Sequence, residues 1–204
     1  MTRTTAAYAR RAAEYVDALG SVSAMHHADR HLIETWGAAA SGRLIDAGCG
    51  PGHWTQHLAE RGAEIRGIDL VPEFIDHARA AHPATRFDVE SIEAIDEPDA
   101  AIGGILAWFS TIHHQPSDIE VPLAEFTRVL RPGGSLLLGY FDADATEAFD
   151  HAVTRGYRWR ASDLQRVLDA AGFEVIEIHR RVERGKRPVG AMLCELTSPA
   201  VVLK

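Results

Sequence analysis

The stretch LIDAGCGPGHW, residues 44–54, sets glycines at every second position directly after a short apolar run that ends in an acid. Gly48, Gly50 and Gly52 leave a backbone that can approach a ligand closely and take positive φ. Asp69 ends the next apolar run, RGIDL, about 20 residues on, where a carboxylate accepts hydrogen bonds from ribose hydroxyls. Both hydroxyls of the diol can donate to it, as a charge-assisted pair. Together the loop and the acid predict a ribose-bearing ligand, read as an adenosine. The alternative for Asp69 is to cap the helix that Pro72 opens. A dinucleotide fingerprint would need its third glycine at position 53, which is His53, and this counts against NAD(P) or FAD.

Other reactive residue types are weaker signals. Cys49 has no basic neighbour in sequence to lower its pKa, so it reads as a small loop residue rather than a nucleophile. The pairs His26–His27 and His113–His114 lack the ligand spacing of a metal site, and no metal is expected. His113 follows the fourth predicted strand, at the ligand end, and is the candidate catalytic histidine; a solvated loop histidine is the alternative. Residues 155–160, RGYRWR, put three arginines and two aromatics within six positions of an acidic chain. Arg158 and Arg160 are read as a fork for a carboxylate or phosphate on the acceptor, against the plainer reading of solvated arginines beside a core Trp159.

These residues need elements to hold them. Residues 5–19 and HADRHLIETWGAAA read as two amphipathic helices, with Trp36 in the core. Downstream, RLIDAGC, EIRGIDL, TRFDVE, AIGGILAW and SLLLGYF read as strands. The helices between them are HWTQHLAERG, VPEFIDHARAAH and IEVPLAEFTRVL. That alternation predicts a parallel sheet covered on both faces. SDLQRVLDAAG reads as a helix capped by Ser162. FEVIEIHR and RPVGAMLCEL, separated only by a short turn, must pair antiparallel, because a parallel crossover needs a dozen or more residues.

The 204 residues suffice for one buried core, expected as a single domain: a helical lid over 1–40 and a cofactor-binding core with its hairpin over 41–204. A net charge of −8 argues against general affinity for nucleic acid or anionic membrane. No apolar run reaches membrane-span length, and the two distant cysteines read as reduced thiols of a cytoplasmic protein.

LIDAGCGPG, GIDLVPEFIDHAR, AWFSTIHH and EFTRVLRPGGSLLL, in this order over roughly residues 40–180, resemble a class I S-adenosylmethionine-dependent methyltransferase of the small bacterial type. The resemblance implies a Rossmann-like, doubly wound α/β fold. Its seven-stranded sheet is mostly parallel, with an antiparallel C-terminal hairpin strand and N-terminal lid helices. It implies S-adenosylmethionine as cofactor and S-adenosylhomocysteine as product. Gly48, Cys49 and Gly50 would lie along the methionine part, Asp46 would orient the loop and reach the ammonium, and Trp54 and Thr55 would sit on a helix turn facing the carboxylate. Asp69 would hold the ribose, Leu70, Ser91 and Ile92 would meet the adenine, and Ala107 and Trp108 would contact the methionine chain. YARRAAEY resembles the family's lid helix, so Tyr8 and Tyr15 would close the acceptor pocket.

The implied reaction is O- or N-methylation of a small molecule by a monomer or homodimer, the acceptor being anionic on the reading of Arg158 and Arg160. The Asn/Asp-Pro-Pro-aromatic signature of adenine-N6 and glutamine-N5 methylation is absent, AWFS standing in its place. The competing readings are an NAD(P)-binding oxidoreductase and a methyltransferase-like binding module without turnover.

Overall fold

The computed structural model describes residues 3–11, 22 and 25–197. In chain order the elements are α1 (Arg3–Arg10), α2 (His27–Ala39), β1 (Leu44–Ala47), α3 (His53–Ala59), β2 (Ile65–Asp69), α4 (Pro72–Ala81), β3 (Arg86–Val89), β4 (Ile102–Trp108) and α5 (Glu120–Val129). There follow β5 (Leu130–Asp142), β6 (Glu147–Asp150), β7 (Arg155–Trp159), α6 (Ala161–Ala170), β8 (Phe173–Arg181) and β9 (Val189–Leu196).

The central strands pair in parallel in the order β3–β2–β1–β4–β5. β9 continues the sheet antiparallel to β5, and β8 pairs antiparallel with β9. The C-terminal hairpin therefore forms as its short turn requires. These are the seven expected strands. Two more, β6 and β7, form a second antiparallel hairpin that joins β5 in parallel only at Phe141 and Asp142.

The period of two along each strand sorts side chains onto two faces. Ile45, Ala47, Ile105, Ala107, Leu136 and Leu138 pack with α5 and α6 residues such as Phe126 and Leu164. Leu44, Leu106 and Leu137 pack on the other face, against Ile33 and Trp36 of α2 and Trp54 and Leu58 of α3. The central strands β1 and β4 are thus buried from both sides, which is why they read as continuous apolar runs. With the strands fixed, their carboxyl ends and the loops after them converge on one edge of the sheet.

Ser162 does not cap α6. The cap is Arg160, and its backbone N–H is 3.2 Å from Thr146 Oγ1, whose hydroxyl donates to Asp163 at 2.7 Å. The β5–β6 connection thus braces the start of α6, which has no side-chain cap bond of its own. Among the described residues no helix is long and apolar enough to cross a membrane, and no group of three or more His, Cys, Asp or Glu is placed to hold a metal.

Candidate active site

A cavity of about 510 Å³ opens at the carboxyl ends of β1, β2 and β4. Gly48 and Gly50 form one wall, Asp69, Leu70, Val71 and Phe74 a second, and Ser91, Ile92 and Glu93 a third. Phe109, Ser110, His113 and His114 line it from the loop after β4, and Thr5 and Tyr8 from α1. Of the residues singled out from sequence, Gly48, Gly50, Asp69, Leu70, Ser91, Ile92, His113 and Tyr8 meet here. Tyr15 lies outside the described residues.

The glycines differ in what they do. Gly48 and Cys49 each donate a backbone hydrogen bond to the Ile68 carbonyl, tying the loop to β2. Gly48 has φ +80°, and a Cβ there would stand 2.3 Å from Ser110 Cβ, so its bareness lets two loops touch. Gly50, φ +54°, would direct a Cβ into open space. At Gly52 a Cβ would strike Phe87 and Ala78, which makes it a packing glycine.

Asp69 anchors the corner. One carboxylate oxygen accepts from Gly50 N–H at 3.0 Å and the other from Val71 N–H at 2.8 Å. A carboxylate has about four acceptor sites, so two remain for a ligand. The bond to Val71 is the helix-entry contact weighed as the alternative, so Asp69 holds the start of α4 and faces the cavity at once. Burial raises its pKa, against the bonds from Val71 and Gly50.

Several expected contacts fall below the cavity rather than in it. Asp46 shares its face of β1 with Leu44 and is buried; it accepts a 2.7 Å hydrogen bond from Thr55 Oγ1 and does not line the cavity. Cys49 turns into a small apolar cluster with Ile75, Ala78 and Phe87. Burial drives its thiol pKa up, which removes it as a nucleophile. Trp54 packs in the α2–α3 core, edge-on to Trp108 at 6.5 Å between ring centroids. Ala107 is core, and Trp108 covers Gly139. No residue of α3 reaches the cavity, so its role is to support the loop. Glu90 is drawn away into an ion-pair group around Arg66.

The arginine reading also fails on geometry. Arg158 pairs with Glu147 across the β6–β7 hairpin at 2.7 Å, and Arg160 donates through Nε to the Asp144 carbonyl at 2.5 Å. Neither lines the cavity, and among the described residues no arginine or lysine does. The segment contributes backbone instead. Tyr157 N–H donates to the Ile112 carbonyl at 2.8 Å, and the Arg155 carbonyl lies 2.8 Å from His113 Nδ1. The second hairpin thereby holds the loop carrying His113, whose Nε2 is 2.7 Å from the Tyr8 hydroxyl. Phe109, at the start of that loop, has φ +56°, a strained value for a bulky residue beside a cavity. Neither the strain nor the hairpin left a mark in sequence beyond the alternation of Tyr157 and Trp159.

Residues 44–134 match the family described as Methyltransferase domain. The match supports reading this segment as part of a class I methyltransferase. In sequence the chain is 33% identical over 128 residues to a malonyl-[acyl-carrier protein] O-methyltransferase of Serratia marcescens, covering 63% of this chain and 47% of that protein. It is 34% identical over 158 residues to the protein of the same name from Yersinia pestis, covering 76% and 55%. The chain thus spans about half the length of the curated relatives it matches. In structure, the chain superposes with a TM-score of 0.75 on 1,6-didemethyltoxoflavin-N1-methyltransferase from Burkholderia thailandensis, solved with S-adenosylhomocysteine. That match is 23% identical and covers 95% of this chain and 88% of that one.

One titration beneath the glycine loop is testable on the protein alone. Burial pushes Asp46 up to about 7 from 3.8, against the Thr55 hydrogen bond, with the Asp69 charge adding to the rise. A carboxyl whose folded pKa is raised stabilises fully below its unfolded pKa, and that contribution is lost as pH rises through the folded value. Asp46→Asn removes the ionisation while keeping an acceptor for Thr55. The variant is expected to gain on the wild type as pH rises from 5 to 8, by about 2–4 kcal/mol at the top of the range. Urea unfolding midpoints at each pH measure this, and parallel curves for the two proteins would disprove it.

Proposed function

We propose that this domain binds S-adenosylmethionine in the cavity and transfers its methyl group to a small-molecule acceptor. The observation that carries the reading is the Asp69 carboxylate and the Gly48–Gly50 loop on adjoining walls of one 510 Å³ cavity. The residues present fit such a group. Asp69 keeps acceptor capacity for a ribose diol, Leu70 is 44% exposed beside Ile92 as an apolar ledge for a purine, and Ser110 Oγ is buried without a partner at the bare Gly48 face.

When bound, S-adenosylmethionine supplies a methyl group on a positively charged sulfur, already activated as a leaving group. The chain's own task is then mainly alignment and water exclusion, which is worth on the order of 7–11 kcal/mol. Asp69 and the glycine loop fix one end of the cavity, and α1 closes it. Tyr8 meets Phe74 of α4 edge-on at 6.0 Å, while Arg11 donates to the Ala152 carbonyl beyond β6. The malonyl-[acyl-carrier protein] and 1,6-didemethyltoxoflavin activities named for similar proteins support methyl transfer as a class, and neither acceptor is carried over. The same reading treats residues 1–204 as one unit with the N-terminal segment as lid, acting in the cytoplasm as a monomer or homodimer and not on nucleic acid or membranes.

The dinucleotide alternative is weaker because His53 begins α3 in the slot of the third glycine, and burial pushes its pKa down to about 4. Calorimetry should show S-adenosylhomocysteine binding in the micromolar range and no NADH binding. The reverse pattern would overturn the proposal.

A further inference from the structure

His113 is fixed in one tautomer. The Arg155 carbonyl 2.8 Å from Nδ1 can only accept, so Nδ1 carries the proton. Nε2 then presents a lone pair, and the Tyr8 hydroxyl at 2.7 Å donates to it. Burial lowers the pKa of this imidazole, against the Arg155 bond, and His114 adds to the fall. The neutral form therefore prevails at pH 7, with a basic nitrogen on the cavity wall.

The charge of that wall has one sign. Among the described residues its carboxyl side chains are Asp69, Glu93 and Asp118, and no lysine or arginine joins them. His114 Nε2 is 2.9 Å from Glu93. The sequence of residues 12–24, between α1 and α2, contains Glu14 and Asp17 but neither lysine nor arginine. A carboxylate or phosphate entering here would lose water and find no lysine or arginine among the described lining residues, leaving only the bound sulfonium to offset a cost of several kcal/mol. An uncharged acceptor avoids that cost, and Phe74, Phe109 and Tyr8 give it apolar and aromatic surface.

We propose that the acceptor is an uncharged molecule carrying a hydroxyl or ring N–H on an apolar body, and that His113 Nε2 takes up its proton through the Tyr8 hydroxyl. This rests on the methyl-transfer reading. The acceptor's O–H or N–H bond breaks, its electron pair forms the new bond to the methyl carbon, and the carbon–sulfur bond breaks with its pair left on sulfur. The proton passes to the Tyr8 oxygen while the Tyr8 hydroxyl proton shifts to Nε2, whose single lone pair that hydroxyl already occupies. The resulting imidazolium keeps its Nδ1–H bond to Arg155 and can donate from Nε2 to Tyr8, whose hydroxyl serves either direction. Tyr8 thus holds the nitrogen in place before and after transfer. Arg155 acts only as a positioning residue, through its backbone.

The test uses two matched probes, 4-methylphenol and 4-methylbenzoate, with the full chain free and saturated with S-adenosylhomocysteine. Imidazole ¹⁵N spectra at pH 7 should show His113 neutral and protonated at Nδ1. The phenol should shift its Nε2 resonance and bind at least about tenfold more tightly than the benzoate, about 1.4 kcal/mol. His113→Gln should erase the preference. Equal or tighter benzoate binding would sink the proposal, as would an imidazolium or the opposite tautomer at pH 7, or failure of both probes to reach His113. Failure of S-adenosylhomocysteine to bind would count against the methyl-transfer reading instead, while the probes on the free protein still report the pocket's preference.

Discussion

Gly48→Ala is expected to weaken S-adenosylhomocysteine binding by at least about 100-fold while leaving the protein folded. Two costs combine. The backbone at φ +80° sits in the left-handed region, where an L side chain costs roughly 1–2 kcal/mol. The new methyl would also stand 2.3 Å from Ser110 Cβ, a separation that no pair of carbons tolerates. One of the two loops must move, and both line the cavity. A loss of 100-fold is about 2.7 kcal/mol, within reach of the two effects together. Gly62→Ala is the control: its φ is +91° but nothing lies within 4 Å, so it should lose about 1 kcal/mol of stability and none of its affinity. Calorimetry on both variants, with circular dichroism for folding, measures this. Full affinity in Gly48→Ala would mean that the glycine loop does not cradle the ligand.

Asp69→Ala carries the second large effect. Removing a charged hydrogen-bonding partner costs about 1.5–3 kcal/mol, which is an affinity loss of roughly 10- to 150-fold for S-adenosylhomocysteine. The variant also strips the acceptors from Gly50 and Val71, but both N–H groups lie beside the cavity, where water can replace the lost partner. Unfolding should therefore shift by only a few degrees. Asp69→Asn, which keeps one oxygen, should fall between Ala and wild type. Unchanged affinity in Asp69→Ala would refute the ribose assignment, whereas a collapsed fold would show that holding the entrance of α4 is its main role.

The glycine loop, Asp69 and the seven central strands were legible in sequence because each depends on short-range rules. Apolar runs separated by amphipathic helices can be buried only as a parallel sheet, and FEVIEIHR followed so soon by RPVGAMLCEL can pair only antiparallel. Asp69 reads as a strand-end acid because its partners, Gly50 and Val71, are set by the loop and turn it belongs to.

The Arg155–Arg160 segment shows where such rules stop. Arg158 and Arg160 suggested an anion fork, yet Arg158 pairs with Glu147 and Arg160 with the Asp144 carbonyl, and the segment meets the site only through the Arg155 carbonyl on His113. Side-chain types say nothing about which backbone group a distant loop will use. Asp46 likewise has the right type and place in sequence, but the face of β1 it occupies points it at Thr55, beneath the loop it was expected to serve from above.

By itself, then, the sequence determined the alternating α/β framework, the end of the sheet at which the cavity opens and the acid on its wall, because periodicity and backbone freedom are local properties. Only the tertiary structure decided the tautomer of His113, the acidic lining of the cavity and the burial of Asp46, Cys49 and Trp54. Those depend on contacts such as His113 with Arg155 and Tyr8 with His113, 42 and 105 residues apart, which no local pattern encodes.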